Sequence, residues 1–280
     1  VVEKANIITG NIAANALDGG AGADTLIGGA GNDVYTVDAV DDVIIELAND
    51  GTDSVSSSVT YRLGLNVENL TLTGTSRITG TGNAADNVLT GNSANNTLSG
   101  LAGDDTYIGG AGNDTLTDTS TTSNDVYRWG LGQGNDTIND AGGASDRIEI
   151  GAGVTGSQVT LTRSGNNLRV GIAGAADVLT VANWYVGTTS RIEEIRLADG
   201  SVIGAGAAPL SLSRLPAASG RMQRLADRTL SAAMTDDALL HKSAQSLVQA
   251  MAQFGARGGM EPMWMSRERH DPPPTLLMPW

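Results

Sequence analysis

The sequence predicts an all-β fold, a parallel coil of short strands with a β-rich C-terminal cap and a short α-helical tail. A nine-residue repeat, a fixed apolar position within it and a change of composition near residue 205 predict this fold. The chain contains 37 Gly residues, no Cys and a single Phe. A nine-residue unit holds only a turn and a strand of about three residues, so it must stack on neighbouring units to bury its apolar side chain.

Three columns define the repeat. With Gly10 as position 1, position 1 is Gly, position 6 is Asp or Asn, and position 8 is a large apolar residue in every unit. We expect the Gly column to provide the positive φ that a tight turn needs, and two units to complete one coil. The units begin at Gly10, Gly19, Gly28, Gly82, Gly91, Gly100 and Gly109. The position 8 residues, expected to point inward, are Leu17, Leu26, Tyr35, Leu89, Leu98, Tyr107 and Leu116.

The units, such as GGAGNDVYT from Gly28 and GGAGNDTLT from Gly109, resemble the Gly-Gly-x-Gly-x-Asp-x-apolar-x repeats of RTX (repeats-in-toxin) proteins. The resemblance implies a right-handed parallel β-roll that binds several Ca²⁺ ions between turns stacked on the same side. It also implies that the ligands are position 6 carboxylates and carbonyls of the Gly-rich loops. Negatively charged oxygen ligands are those that a hard cation prefers.

The units fall into two classes. Four combine Gly at position 4 with Asp at position 6, whereas three combine Ala with Asn. Because a neutral amide weakens a Ca²⁺ site, the turns at Asn15, Asn87 and Asn96 are expected to bind weakly or not at all. The resemblance implies the following metal-site residues: Gly20, Gly22, Asp24, Gly29, Gly31, Asp33, Asp42, Gly103, Asp104, Asp105, Gly110, Gly112, Asp114 and Asp136.

The spacing also predicts which turns lie on the same side of the coil. Positions 18 residues apart should face each other, and Asp114 should face Asp136 across an insertion. Other acidic residues fit either a ligand or a solvated turn, namely Asp41, Asp50, Asp53, Asp125 and Asp146. The predicted pairs are Asn15–Asp33, Asp24–Asp42, Asn87–Asp105, Asn96–Asp114 and Asp114–Asp136.

Composition predicts three segments. Residues 1–123 form the β-roll, with repeat arrays at 10–45 and 82–117 and a spacer at 46–81. Residues 124–205 resemble the haemolysin-type calcium-binding-related domain and are expected to cap the coil; Trp184 there either packs in the core or stacks on a sugar. Residues 206–280 contain all seven Met and all seven Pro. From Thr235 they show a helical apolar period that indicates a type I secretion signal or a helix that docks on the roll.

Charge and motifs exclude several functions. The net charge is −14, and residues 206–280 hold 8 basic and 6 acidic residues, so residues 1–205 hold 9 and 25. This balance argues against nucleic-acid binding, and no apolar run is long enough to span a membrane. There is no HExxH or G-x-S-x-G motif, and both His residues lie after residue 205. We therefore expect no enzyme in this chain, and any catalytic domain to lie upstream of Val1, where the initiator Met and a signal peptide are missing.

The resemblance implies a calcium-dependent folding module of a secreted bacterial RTX protein, exported by a type I system. Its expected partners are calcium ions, the secretion machinery and an upstream effector domain that it stabilises and helps to export. Two alternatives remain open. One is an adhesive, surface-layer or glycan-binding module at the cell surface. The other is the C-terminal part of a secreted hydrolase or epimerase.

Overall fold

The protein is described by a computed structural model, which covers residues 4–187 and 190–204. Described residues form short strands and one 3₁₀ turn at Gly156–Gln158. The strands are β1 (Ile7–Thr9), β2 (Ala16–Asp18), β3 (Thr25–Ile27), β4 (Val34–Val37), β5 (Val43–Ile45), β6 (Ser54–Ser57), β7 (Tyr61–Arg62), β8 (Asn69–Leu72), β9 (Thr79–Thr81), β10 (Val88–Thr90), β11 (Thr97–Ser99), β12 (Thr106–Ile108), β13 (Thr115–Thr117), β14 (Val126–Trp129), β15 (Asn135–Asn139), β16 (Arg147–Ile150), β17 (Val159–Ser164), β18 (Asn167–Ile172), β19 (Val178–Val181), β20 (Glu194–Leu197) and β21 (Val202–Gly204).

The strands form a parallel coil in which consecutive strands lie on opposite sides. Even-numbered strands build one sheet in the order β2-β4-β6-β8-β10-β12-β14-β16-β20-β21. The opposite side carries the sheet β1-β3-β5 and the sheet β7-β9-β11-β13-β15-β19-β18-β17. This architecture confirms the predicted parallel β-roll, and the spacer strands β6 to β9 continue the coil without a break in the even-numbered sheet.

One coil contains 18 residues where the repeats are regular. Val88 lies opposite Thr106, and Thr97 lies opposite Thr115. The coil lengthens towards the C-terminus, where Thr106 lies opposite Val126 and β14 pairs with β16. Parallel pairing therefore continues past residue 123.

The core is a single file of side chains between the two faces. Each short strand points its central residue inward, since side chains alternate along a strand. All seven position 8 residues are buried, as predicted. Tyr107 and Tyr127 stack with ring centroids 5.0 Å apart.

Antiparallel strands complete the C-terminal part. β17, β18 and β19 form an antiparallel meander that joins the coil through the parallel pair β15–β19, while β21 covers the edge of β20. Such pairing occupies strand edges that the coil would otherwise expose. The predicted helical tail, residues 206–280, lies outside the described residues. Among the described residues, no helix is long and apolar enough to cross a membrane.

Candidate metal sites

Positive φ angles occur at positions 2 and 4 of the glycine-rich turns. Gly29 and Gly31 have φ values of 93° and 118°, and Gly110 and Gly112 have values of 90° and 129°. In the unit from Gly100, position 2 is Leu101, which adopts φ 83° despite its side chain. These angles turn the backbone in a conformation that favours glycine.

Glycine at position 1 has a different role from the one predicted. No position 1 Gly of the seven units has a positive φ, so that part of the sequence interpretation is wrong. A Cβ on Gly109 would lie 2.6 Å from Asp114 Oδ2, and one on Gly19 would collide with the carboxylate of Asp24. Position 1 is therefore Gly because the position 6 side chain occupies the space of its missing Cβ.

The position 6 side chains form a ladder inside each turn edge. The backbone N–H of Asn96 donates to Asp114 Oδ1 over 2.7 Å, and that of Asp114 donates to Asp136 Oδ1 over 2.8 Å. The same bond joins Asn15 to Asp33, Asp24 to Asp42, and Asn87 to Asp105. All five predicted same-side pairs are therefore confirmed. We call this arrangement the inner ladder; its acceptor always belongs to the later coil.

The second carboxylate oxygen is left without a partner in the four Gly/Asp units. Oδ2 is buried and makes no hydrogen bond in Asp24, Asp33, Asp105 and Asp114. An ionised carboxylate oxygen that is buried and unpaired is costly unless a cation compensates it. These four turns are thus shaped to receive a positively charged ligand.

Burial raises the pKa of several of these carboxyl groups. The pKa of Asp105 rises to about 8, because the group is desolvated and the negative charges of Asp125 and Asp118 lie nearby. Desolvation likewise raises the pKa of Asp114 to about 6 and that of Asp136 to about 7. The turns therefore hold negative charge under electrostatic strain, which a bound cation would relieve.

The Asn turns satisfy their own polar groups. The Oδ1 atom of Asn96 accepts the N–H of Asn92 over 2.7 Å, and Asn92 Oδ1 accepts the N–H of Ala94 over 2.8 Å. The turns that end at Asn15 and Asn87 repeat both bonds. Since the amide oxygen already serves the backbone, these turns leave no carboxylate for a cation. The geometry agrees with the lower rank that the sequence assigns to them.

Two other predicted site residues lie in distinct surroundings. Both oxygens of Asp42 accept backbone N–H groups, from Asp24 and from the turn at Asp38 and Ala39. Asp104 is exposed and accepts the N–H of Asn124 over 2.8 Å. It belongs to an outer ladder at position 5, in which the acceptor belongs to the earlier coil, so the structure does not bring it beside the buried carboxylates.

Buried acids that the sequence interpretation missed complete three groups. In each group, ligand oxygens lie within 4.8 Å of one another. Glu46, Asp118 and Asp140 are the missed members, and each occupies position 1 of its nine-residue register. An acid where the repeat has Gly was the available signal. The groups are Asp33 with Glu46 and Asp53, Asp105 with Asp118 and Asp125, and Asp125 with Asp140 and Asp146.

The donor set fits calcium. These sites offer only oxygen atoms, and several carboxylates converge in each, which suits a hard cation that takes six to eight oxygen ligands. Trp184, by contrast, is buried in the core with 2% of its surface exposed, so its ring cannot stack on a sugar.

Two family models match the chain. The model described as RTX calcium-binding nonapeptide repeat (4 copies) matches residues 5–44 and 81–116. The chain belongs to the RTX calcium-binding proteins. Its RTX repeats bind calcium, and the haemolysin-type calcium binding protein related domain matches residues 167–206.

One solved structure is similar to this RTX chain at low identity. It is the crystal structure of the extracellular lipase LipA from Serratia marcescens, at 16% identity and a TM-score of 0.25. The match covers 74% of this chain and 38% of the lipase chain. The RTX β-roll itself is a calcium-binding, non-catalytic fold.

Proposed function

We propose that this chain is a calcium-dependent folding module of a secreted RTX protein. The observation that carries the proposal is the buried, unpartnered Oδ2 atom in Asp24, Asp33, Asp105 and Asp114. We assign these four carboxylates, together with the glycine loops that precede them, as the main calcium ligands. Asp42 and Asp136 take part mainly through the inner ladder.

Calcium binding supplies free energy that the apo coil lacks. The core is a single file of side chains, and glycine-rich turns lose much conformational entropy on folding. Without calcium, buried carboxylates also repel one another across neighbouring coils. A ligand that binds only the folded state stabilises it, so binding free energy becomes folding free energy.

Far-UV circular dichroism during a calcium titration tests this proposal. We expect a largely unfolded spectrum in chelator and a cooperative gain of β signal as calcium is added. The same titration ranks the turns: Asp24→Ala should raise the calcium midpoint several-fold, whereas Asn15→Ala should change it little. A full β spectrum in excess chelator would refute the proposal, and equal effects of the two variants would refute the ranking.

The secretion part of the proposal rests on the family and on the open first coil. RTX repeat proteins are typically secreted extracellular bacterial proteins. We propose export by a type I system, and an upstream effector domain that the module stabilises. Ile7 in the edge strand β1 is 78% exposed, which leaves an apolar edge for a preceding segment to cover. Comparing secretion through a type I exporter with and without residues 206–280 tests the export route; equal secretion would exclude a signal there.

A further inference from the structure

A group of buried acids lies mostly outside both family matches. The family models leave residues 117–166 unmatched. Four buried acidic residues fall in this segment, and they face one another and Asp105, the last acid of the preceding coil on that side. Each of the five is at most 5% exposed: Asp105, Asp118, Asp125, Asp140 and Asp146.

The five carboxylates form two groups with one member in common. Asp105, Asp118 and Asp125 place their ligand oxygens within 4.8 Å of one another. Asp125, Asp140 and Asp146 do the same. Asp125 therefore bridges the two groups, which connect the turns before β12, β14 and β16.

Each acid other than Asp125 keeps one buried oxygen free. Asp105 Oδ2, Asp118 Oδ2, Asp140 Oδ1 and Asp146 Oδ2 have no hydrogen-bond partner. Their other oxygens are engaged. Ser120 N–H donates to Asp118 over 3.0 Å, Tyr127 O–H donates to Asp140 over 2.8 Å, and Asp125 N–H donates to Asp146 over 2.8 Å. The free oxygens are therefore held at fixed places by the bonds that their partners make.

The described part of the chain supplies no cationic side chain to balance these acids. The ion pairs formed by Arg128 and Arg147 both go to Glu149, and Arg196 pairs with Glu194. Five buried carboxylates without a counter-charge are unfavourable in a low-dielectric interior. A cation that is not part of the chain would compensate them.

The turns themselves explain how the extra acids are accommodated. In a regular unit, five positions separate Gly109 from Asp114, and a side chain at position 1 would meet the Asp carboxylate. Seven positions separate Asp118 from Asp125, and six separate Asp140 from Asp146. The longer turns make room for a carboxylate at position 1, where it lies beside the position 6 carboxylate.

We propose that these residues form two adjacent calcium sites that share Asp125. Asp105, Asp118 and Asp125 hold one ion, and Asp125, Asp140 and Asp146 hold the other. Buried, all-protein oxygen ligands favour Ca²⁺ over Mg²⁺, which retains several waters. The pair fastens the last regular coil to the strands that lead into the C-terminal domain. Because one carboxylate serves both ions, loss of Asp125 affects both sites.

Calcium stoichiometry of the full chain tests the pair. Native mass spectrometry of calcium-saturated protein should show one ion fewer for Asp118→Asn, one fewer for Asp140→Asn and two fewer for Asp125→Asn. The matched control is Asp86→Asn, which removes an exposed charge and keeps the oxygen that accepts the Asp104 N–H; it should keep the full count. An unchanged count for Asp118→Asn or Asp140→Asn, or a loss of only one ion for Asp125→Asn, overturns the proposal.

Crystals of the wild-type chain grown in calcium provide a second measurement if a variant does not fold. We expect two density peaks, each in contact with Asp125, and their absence overturns the proposal. Neither measurement depends on calcium-dependent folding. If chelator leaves the fold intact but the two ions are present, only the proposed function fails. If folding needs calcium but the ions are missing, only the paired site fails.

Discussion

At the scale of single residues, the space that glycine leaves free matters as much as its backbone freedom. Position 1 and position 6 of a repeat form a pair, because the carboxylate of Asp114 occupies the space that a Cβ on Gly109 would need. Where position 1 carries an acid instead, as at Asp118, the turn is longer. A regular turn thus holds one inward carboxylate, and a long turn holds two.

Substitution of Gly109 should therefore weaken calcium binding without altering a backbone angle. In Gly109→Ala, the new methyl group would displace Asp114 Oδ2, so we expect a several-fold higher calcium midpoint and about 1–3 kcal/mol lower stability in calcium. Calcium titration followed by circular dichroism measures both. Gly156→Ala is the control, since a Cβ there would have no other atom within 4 Å and the φ of Gly156 is not positive. Equal effects of the two variants would contradict this explanation.

The sequence predicts the regular sites well and the irregular ones poorly. The same-side pairs follow from the nine-residue period, because stacking of identical units fixes the position of every turn. Glu46, Asp118 and Asp140 escape prediction because they lie at position 1, in turns whose lengths break the period. Only the fold shows that these acids return to the same buried space as the position 6 carboxylates.

At the scale of the elements, the coil of two turns and two strands is the unit of the structure. Each coil contacts mainly the coils before and after it, through parallel pairing and the inner ladder. The period predicts these strands, including those of the spacer. The antiparallel meander of β17 to β19 depends on pairing across the chain rather than on a local period, and the sequence predicts only a β-rich cap there.

Removal of one whole coil should be tolerated. Deletion of residues 100–117 joins Ser99 to Asp118 and brings Val126 opposite Val88 and Thr137 opposite Thr97. We expect a cooperative calcium transition to a β spectrum, with fewer bound ions because Asp105 and Asp114 are lost. Circular dichroism and calcium stoichiometry measure these outcomes.

A shorter deletion that breaks the period serves as the control. Deletion of residues 100–112 joins Ser99 to Asn113 and removes the turn between two strands. It should abolish the cooperative transition although fewer residues are lost. If the shorter deletion folds as well as the longer one, the coil is not the unit of stability.

At the scale of the whole molecule, protons and calcium compete for the same carboxylates. Several buried acids have raised pKa values because burial disfavours their charged form: about 8 for Asp105, about 7 for Asp125, Asp136 and Asp146, and about 6 for Asp114 and Asp140. In the calcium-free protein, the folded state therefore binds more protons than the unfolded state between about pH 4 and pH 8. Over that range, the stability of the calcium-free fold falls as pH rises.

The calcium-free chain should consequently gain structure on mild acidification. We expect more β signal near pH 5.5 than near pH 8 in protein freed of calcium, by circular dichroism. The calcium midpoint should shift the opposite way and rise as pH falls, because protons displace the metal from the carboxylates. A calcium-free spectrum that is equally folded at both pH values, or more folded near pH 8, would contradict the sign of this linkage.

The inner ladder also makes the two ends of the coil chemically different. Every rung runs from an N–H of one coil to a carboxylate of the next, so the C-terminal end presents donors that need acceptors. Glu193 accepts the N–H of Asp146 over 2.8 Å, and Asp177 accepts the N–H of Gly134 over 2.9 Å. The Asn turns that begin each array bond to themselves instead. The solenoid thus has a polarity, as a filament does, and two copies could extend one another only head to tail.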